Sequence, residues 1–214
     1  MYPNRTVRAA YGRMHAVEQK RDEELLAEHL AGEAGAFDLL VSRFAEDLYS
    51  FFVRLLGNTT AADDLVQETF LQVHLSAATF DPARSFKPWL YTIAANKARD
   101  FIRARRRRPM QSLDAVPGDE DNPSPAAMLP ADDSSEAADL DTREQAELVR
   151  AVVARMPEHL QLILVLGYYQ KLPYAEIAEI LDIPVGTVKS RLHAAVGHFA
   201  KLWLAQTKAS TSEG

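Results

Sequence analysis

The sequence predicts an all-α protein: two small helical domains joined by an acidic flexible linker, the second domain containing a helix-turn-helix. Three observations predict it. Large apolar residues recur at three- and four-residue steps on both sides of the chain's middle. Between residues 109 and 142 lie nine acids, four prolines after Pro109 and no Lys or Arg, with too few large apolar groups to offset the entropy of ordering. The stretch from Leu172 onward reads as helix, tight turn, helix. The expected organisation is a mobile extension (1–21), a first domain (22–108), the linker (109–141), a second domain (142–205) and a tail (206–214). Each domain, at about 65 to 90 residues, is near the lower size limit for folding alone, where helices are the economical solution.

The chain of 214 residues is 47% hydrophobic and has no cysteine, so packed cores are expected while disulfide scaffolds, thiol catalysis and cysteine-ligated zinc are excluded. The longest uncharged apolar stretch, residues 160–169, is too short for a membrane helix, and charges interrupt residues 1–20 where a secretory signal would be apolar. A soluble, cytoplasmic protein without membrane insertion is expected.

In the first domain, Phe37, Leu40, Val41, Phe44, Leu48, Phe51, Phe52 and Leu55 line one face of a helix ending near Gly57. A second helix, about residues 61–77, carries Val66, Phe70 and Val73 on one side and Asp64, Gln67, Glu68, Leu71 and Leu75 on another. Leucines rimmed by carboxylates suit docking against a basic, partly apolar partner. A helix packed on both sides, with acids placed for the helix dipole, fits the pattern equally. After a loop between Phe80 and Pro88, a third helix is expected to begin near Trp89. Leu90, Ile93, Ala94, Ala98 and Phe101 form its buried stripe, and Thr92, Asn96, Arg99 and Arg103 share the opposite side, continued by Arg105, Arg106, Arg107 and Arg108. Arginines contact phosphates and bases while Asn and Thr read base edges, so this face suits nucleic acid. Trp89 flanks it, as a core residue or as a stacking platform for an unpaired base.

In the second domain, Leu148, Val149, Val152, Val153 and Met156 mark a helix stopping before Pro157. Another, with Leu160, Ile163 and Leu164 as its stripe and Pro157 in its first turn, runs to about Tyr169. Residues 174–181, the corner Asp182-Ile183-Pro184 and a helix from about Val185 form the helix-turn-helix. Ile177, Leu181, Ile183, Val188, Leu192, Val196 and Phe199 are expected in its core, with Ala178 allowing close approach. Gly186, Thr187, Lys189, Ser190 and His193 point the other way, as major-groove entry requires, and Lys189 and Arg191 suit phosphates.

The net charge of −6 hides an uneven distribution. Residues 84–108 hold nine basic side chains against Asp100, and residues 185–208 hold four with two histidines and no acid, so overall acidity does not argue against a nucleic-acid partner. Asp63, Asp64 and Glu68 as metal ligands of a nuclease, and His193 with His198 as a zinc pair, are poorer readings. The first lacks further nearby ligands, and the second spaces its histidines five apart, off a shared helix face. No metal, cofactor, catalytic residue or small-molecule substrate is expected.

Three runs together, AADDLVQETFLQVH, FDPARSFKPWLYTIAANKARDFIRARRRR and LPYAEIAEILDIPVGTVKSRL, closely resemble bacterial RNA polymerase sigma factors of the extracytoplasmic-function (ECF) group, over roughly residues 22–108 and 142–204. The resemblance is to the minimal two-domain form. It implies that residues 64–74 bind the clamp helices of the largest subunit of core RNA polymerase. It implies that the helix from Trp89 and its preceding loop recognise and melt the promoter minus-ten element, and that residues 187–191 contact the minus-thirty-five element. It also implies promoter DNA and an anti-sigma factor as partners. Two departures stand out: Asp182 where the turn often has Gly, and His193, Ala194 and Ala195 where many relatives carry more basic residues, which weakens the expected phosphate grip. The alternative is a free-standing helix-turn-helix transcriptional regulator.

Overall fold

The structure is a computed structural model and describes residues 20–107 and 140–211; nearly all of the expected N-terminal extension and of the linker, and the last residues of the tail, lie outside the described residues. All regular structure among the described residues is helical. Four helices form the first half: α1 (Asp22–Leu30), α2 (Ala36–Leu56), α3 (Thr59–Ser76), which continues into a 3-10 turn (Ala77–Thr79), and α4 (Phe86–Arg107). The second half is α5 (Leu140–Ala154), α6 (Glu158–Leu164) running into a π-helical turn (Val165–Tyr169), α7 (Tyr174–Leu181) and α8 (Val185–Thr211).

The apolar periodicity of α2 becomes the centre of the first half, with Leu40, Leu48, Phe51 and Phe52 fully buried. The helix ends where Gly57 takes a left-handed conformation at φ +65°, a geometry glycine adopts without a Cβ penalty. The next residue, Asn58, accepts from Ala61 N–H at 2.8 Å through its side chain and restarts the chain as α3.

Helix α1 escapes the sequence reading, because only Leu25 and Leu26 of its nine residues are buried and so short a stripe carries little periodic signal. It has a structural task. The Glu23 carboxylate accepts from the Phe86 N–H at 2.8 Å and caps α4, which therefore begins three residues before the expected Trp89, with Pro88 inside its first turn. The buried stripe of α4 is also turned relative to expectation. Tyr91 and Ala95 are fully buried beside Leu90, Ala94 and Ala98, whereas Ile93 and Phe101 are half-buried.

In the second half, Pro157 precedes the first turn of α6 as its cap residue instead of lying within it. Buried Gln161 donates to the Val153 carbonyl at 2.7 Å and satisfies an acceptor at the end of α5. The helix-turn-helix follows the expected boundaries, and Asp182 takes the left-handed conformation at φ +51° that the turn demands. Ile177, Val188 and Leu192 are buried as expected, with Leu181, Ile183 and Phe199 half-buried. Val196 is 38% exposed, and Ala195, fully buried, takes its place. Helix α8 packs on both α6 and α5, and that crossing favours a methyl group over a branched side chain. Ala195→Leu is therefore expected to destabilise the protein by about 1–3 kcal/mol through overpacking, whereas Val196→Ser stays within about 0.5 kcal/mol. Urea unfolding of the two variants distinguishes them, and equal losses would place the contact elsewhere.

The halves pack against each other, α2 on α5 and the π-helical turn, α4 on α6 and α7, and their buried residues form a continuous core. The Tyr91 hydroxyl donates to Gln170 Oε1 at 3.0 Å, Gln170 Nε2 donates to the Asp47 carbonyl at 3.2 Å, and the Arg54 guanidinium lies 4.8 Å from the centre of the Tyr169 ring. Burial, with Asp47 adding to it, pushes the Tyr91 hydroxyl well above the usual tyrosine range, so it stays a hydrogen-bond donor.

Candidate docking face and nucleic-acid interface

Helix α3 presents two chemically distinct sides. Phe70 and Val73 face the core, and Val66 is half-buried. Asp64, Gln67, Glu68, Leu71 and Leu75 are all exposed, Leu71 by 58% and Leu75 by 68%, which leaves a leucine pair rimmed by carboxylates and an amide. The reading of a helix packed on both sides is thereby corrected, because among the described residues the second side is exposed and only Glu68 reaches a neighbouring helix. Glu68 is steadied by Lys97 of α4, whose Nζ lies 3.0 Å from its Oε2.

At the end of this face α1 and α3 meet through an imidazole pair that sequence reasoning missed, since its members stand 45 positions apart. His29 Nε2 and His74 Nδ1 are 3.0 Å apart, with Phe37 against both rings. Burial first, then repulsion from His74, holds the His29 pKa below the ordinary histidine value. A base with a lowered folded pKa loses stability as pH falls. Above about pH 6.5 both states are neutral, and below it the unfolded chain takes up its proton first. Thermal stability is expected to decline as pH drops through and below about 6.5, with His29→Gln flattening that slope. Melts of both proteins between neutral and mildly acidic pH provide the check, and identical slopes would remove His29 as the cause.

The face expected on α4 is assembled into a cleft of about 900 Å³. Trp89, Thr92, Asn96, Arg99 and Arg103 line it together with Arg84 and Asp100, while Arg106 and Arg107 lie exposed beyond it near the helix end. Trp89 is half-buried, packing on Phe80 and Phe86 at ring distances of 5.0 and 5.9 Å, and it borders the cleft. Asn96 Oδ1 accepts from Arg99 Nη1 at 2.7 Å, and the Thr92 hydroxyl donates to the Pro88 carbonyl at 2.9 Å, so all three side chains are oriented before any ligand arrives. In the loop 81–85 the Asp81 carboxylate accepts from Ala83 N–H at 2.9 Å, and the Phe44–Phe86–Phe80 rings anchor its ends. One feature departs from an open helix face. The opposite wall of the cleft is Glu179, Ile180, Leu181 and Asp182 from the helix-turn-helix half.

The third surface is the start of α8. Gly186, Lys189, Ser190 and His193 are exposed, and Thr187 and Arg191 are half-buried. The Ser190 hydroxyl donates to the Thr187 carbonyl at 3.0 Å. Val185, absent from the expected set, is 51% exposed at the first helical position and adds an apolar contact to a polar surface.

Residues 40–108 match the family model of Sigma-70 region 2, and residues 146–199 match that of Sigma-70, region 4. The ECF RNA polymerase sigma factor SigW of Bacillus subtilis is 33% identical over 162 residues, covering 76% of this chain and 86% of its own. The ECF RNA polymerase sigma-E factor of Haemophilus influenzae is 34% identical over 185 residues, covering 83% and 93%. Among solved structures, CnrH in complex with the cytosolic domain of CnrY superposes with a TM-score of 0.64 over 87% of this chain and 99% of its own, at 23% identity. The sigma factor RpoE in complex with the anti-sigma factor NepR from Bartonella quintana does so with a TM-score of 0.60 over 79% and 97%, also at 23% identity. At those identities the structures establish a shared fold. A helical chain that joins a Sigma-70 region 2 to a Sigma-70 region 4 is a sigma factor, a specificity subunit of RNA polymerase. Its sequence relatives are more specific than that, and the chain belongs to the ECF family of RNA polymerase sigma factors. No helix among the described residues is long and apolar enough to cross a membrane.

Proposed function

We propose that the chain works as a dissociable, non-catalytic initiation subunit whose three surfaces have separate tasks. Asp64, Gln67, Glu68, Leu71 and Leu75 dock on the clamp helices of the largest polymerase subunit, where carboxylates meet basic groups and the leucines bury apolar area. Trp89, Thr92, Asn96, Arg99 and Arg103 read and hold the minus-ten element, and the loop 81–85 traps a base extruded from the duplex. Arg106 and Arg107 extend the phosphate contacts. Gly186, Thr187, Lys189, Ser190, Arg191 and His193 enter the major groove at the minus-thirty-five element, with Val185 suited to a thymine methyl.

These tasks fall to a first domain at 22–108 and a second at 142–205, joined through 109–141. Two weak DNA readers on one chain gain effective concentration once both are mounted on polymerase. The chain acts in the cytoplasm, without cofactor, metal, small-molecule substrate or membrane insertion. An anti-sigma factor, such as the partner of the Bartonella structure, is its expected regulator. A single observation carries the reading: the exposed Leu71 and Leu75 lie on the same rigid four-helix unit as the arginine face of α4, a pairing a free-standing regulator does not need.

Co-elution with bacterial core RNA polymerase at moderate salt, followed by run-off transcription from selected promoter fragments, tests it. Stoichiometric binding and promoter-specific transcripts are expected. Tight sequence-specific DNA binding without polymerase, and no co-elution, would favour the free-standing regulator instead.

A further inference from the structure

The chain enters the first half beside α1. Arg43 of α2 donates to the Lys20 carbonyl at 2.7 Å and to the Asp22 carboxylate at 2.6 Å, which fixes the entry point. The Lys20 ammonium then pairs with the Glu28 carboxylate at 2.5 Å, eight positions ahead, and so lies along the flank of α1 on the way to its far end. At that end His29 meets His74 of α3, and Leu30, which follows His29, is 54% exposed. Leu75 and Leu71, then Glu68 and Asp64, continue along the outward side of α3, all exposed. A track of three leucines and two carboxylates therefore starts where α1 ends. Helix α3 brings no Lys or Arg to it.

Residues 1–17 have the opposite character. They hold Arg5, Arg8 and Arg13 and no acid, with Tyr2, Val7, Tyr11 and Met14 interleaved among the arginines. We propose that residues 1–19 lie on this track in the free chain, their arginines against Asp64 and Glu68 and their apolar side chains over Leu30, Leu75 and Leu71, so that they occupy the polymerase docking face and must leave it before core polymerase binds. The proposal rests on the assignment of α3 as that face. Its physical logic is mimicry: the segment offers the basic, partly apolar chemistry that the face requires of its partner. Nineteen extended residues span up to about 60 Å, against about 27 Å for the whole of α3, so the track is within reach. Exposed ion pairs are weak and screened by salt, but the tether holds the segment at an effective concentration of about 1 mM, which lets a weak contact cover the face for much of the time. Polymerase then pays for displacing it, and its apparent Kd rises by the inverse of the uncovered fraction.

The test uses the full chain. Because the chain has no cysteine, Ala9→Cys supplies a single thiol for a nitroxide spin label. Paramagnetic broadening of the Leu30, Leu71 and Leu75 methyl signals is expected in NMR spectra, while the buried Ile177 and Val188 methyls of the helix-turn-helix half keep their intensity. Changing Arg5, Arg8 and Arg13 together to Gln should remove most of that broadening. The same R5Q/R8Q/R13Q change, without the label, should lower the Kd for core polymerase about five-fold, as follows if the face is uncovered a fifth of the time in wild type. K171Q/K201Q/K208Q, which changes the net charge equally, is the control for long-range attraction and should leave both readouts near wild type.

Absence of broadening at the three leucines, or an equal gain in affinity by the control, would overturn the proposal. Broadening with no gain in affinity would overturn it too, since a cover that does not compete occludes nothing. Broadening that appears only when a spin-labelled chain is mixed with an unlabelled, isotopically enriched one would assign the contact to a second copy and overturn the intramolecular form. Failure of wild type and R5Q/R8Q/R13Q alike to bind core polymerase would refute the docking assignment and the occlusion with it, a result told apart from the others by the loss of binding in wild type.

Discussion

Reversing the charge of Asp64 and Glu68 together, to lysine, is expected to weaken binding to core RNA polymerase by about 10²- to 10³-fold, equivalent to about 3–4 kcal/mol. Both side chains are exposed on the outward side of α3, flanking Leu71 and Leu75, so on docking each would meet a basic partner group and become partly desolvated. Substitution by lysine removes an attraction and installs a repulsion, and like-charge juxtaposition at an interface costs several kcal/mol. Glu68 also gives up its contact with Lys97, but that carboxylate is 53% exposed and the pair contributes at most about 1 kcal/mol to folding. The melting temperature should therefore move by only a few degrees while co-elution with polymerase is lost. A double variant that still co-elutes stoichiometrically at moderate salt would show that α3 is not the docking face.

The second large effect belongs to α4. Asn96→Ala with Arg99→Ala is expected to reduce discrimination between a promoter and the same promoter with an altered minus-ten element by about 30- to 1000-fold, or roughly 2–4 kcal/mol. Each good bidentate contact is worth about 1–3 kcal/mol of discrimination, but these side chains hydrogen-bond to each other at 2.7 Å, so their losses overlap and the sum is less than additive. Run-off transcription with saturating polymerase measures the ratio, and core binding should be unaffected because α3 is untouched. An unchanged promoter preference would move minus-ten recognition off this face. Arg99 Nε also lies 3.9 Å from Glu158 Oε1 of the other half, so the variant gives up that contact as well.

Much of this molecule is legible along the chain because its signals are local. The spacing of Leu40, Phe44, Leu48 and Phe51 states a helix, Gly57 states where it stops, and Asp182-Ile183-Pro184 states a corner whose boundaries the structure reproduces. The division of α3 into a buried and an exposed side follows from the same rule, as does the grouping of Asn96, Arg99 and Arg103. Where a residue's environment depends on a remote partner, the reading drifts. Helix α4 begins at Phe86 because Glu23, 63 positions earlier, caps it; Ala195 and not Val196 is buried on α8, which packs on α5 and α6; His29 and His74 find each other across 45 positions.

The largest such case is the meeting of the halves. Sequence alone determined the all-helical class, the helix-turn-helix, the grouping of Leu71 and Leu75 with carboxylates and the arginine face, since each is written in neighbours three or four residues apart on one helix. Only the tertiary structure decided that the arginine face looks onto Glu158 and Glu179, and that Tyr91, rather than Ile93, is buried against the second half. The reason is that helical periodicity states which residues share a face but not what that face will meet, and the partner is set by packing between segments far apart in the chain.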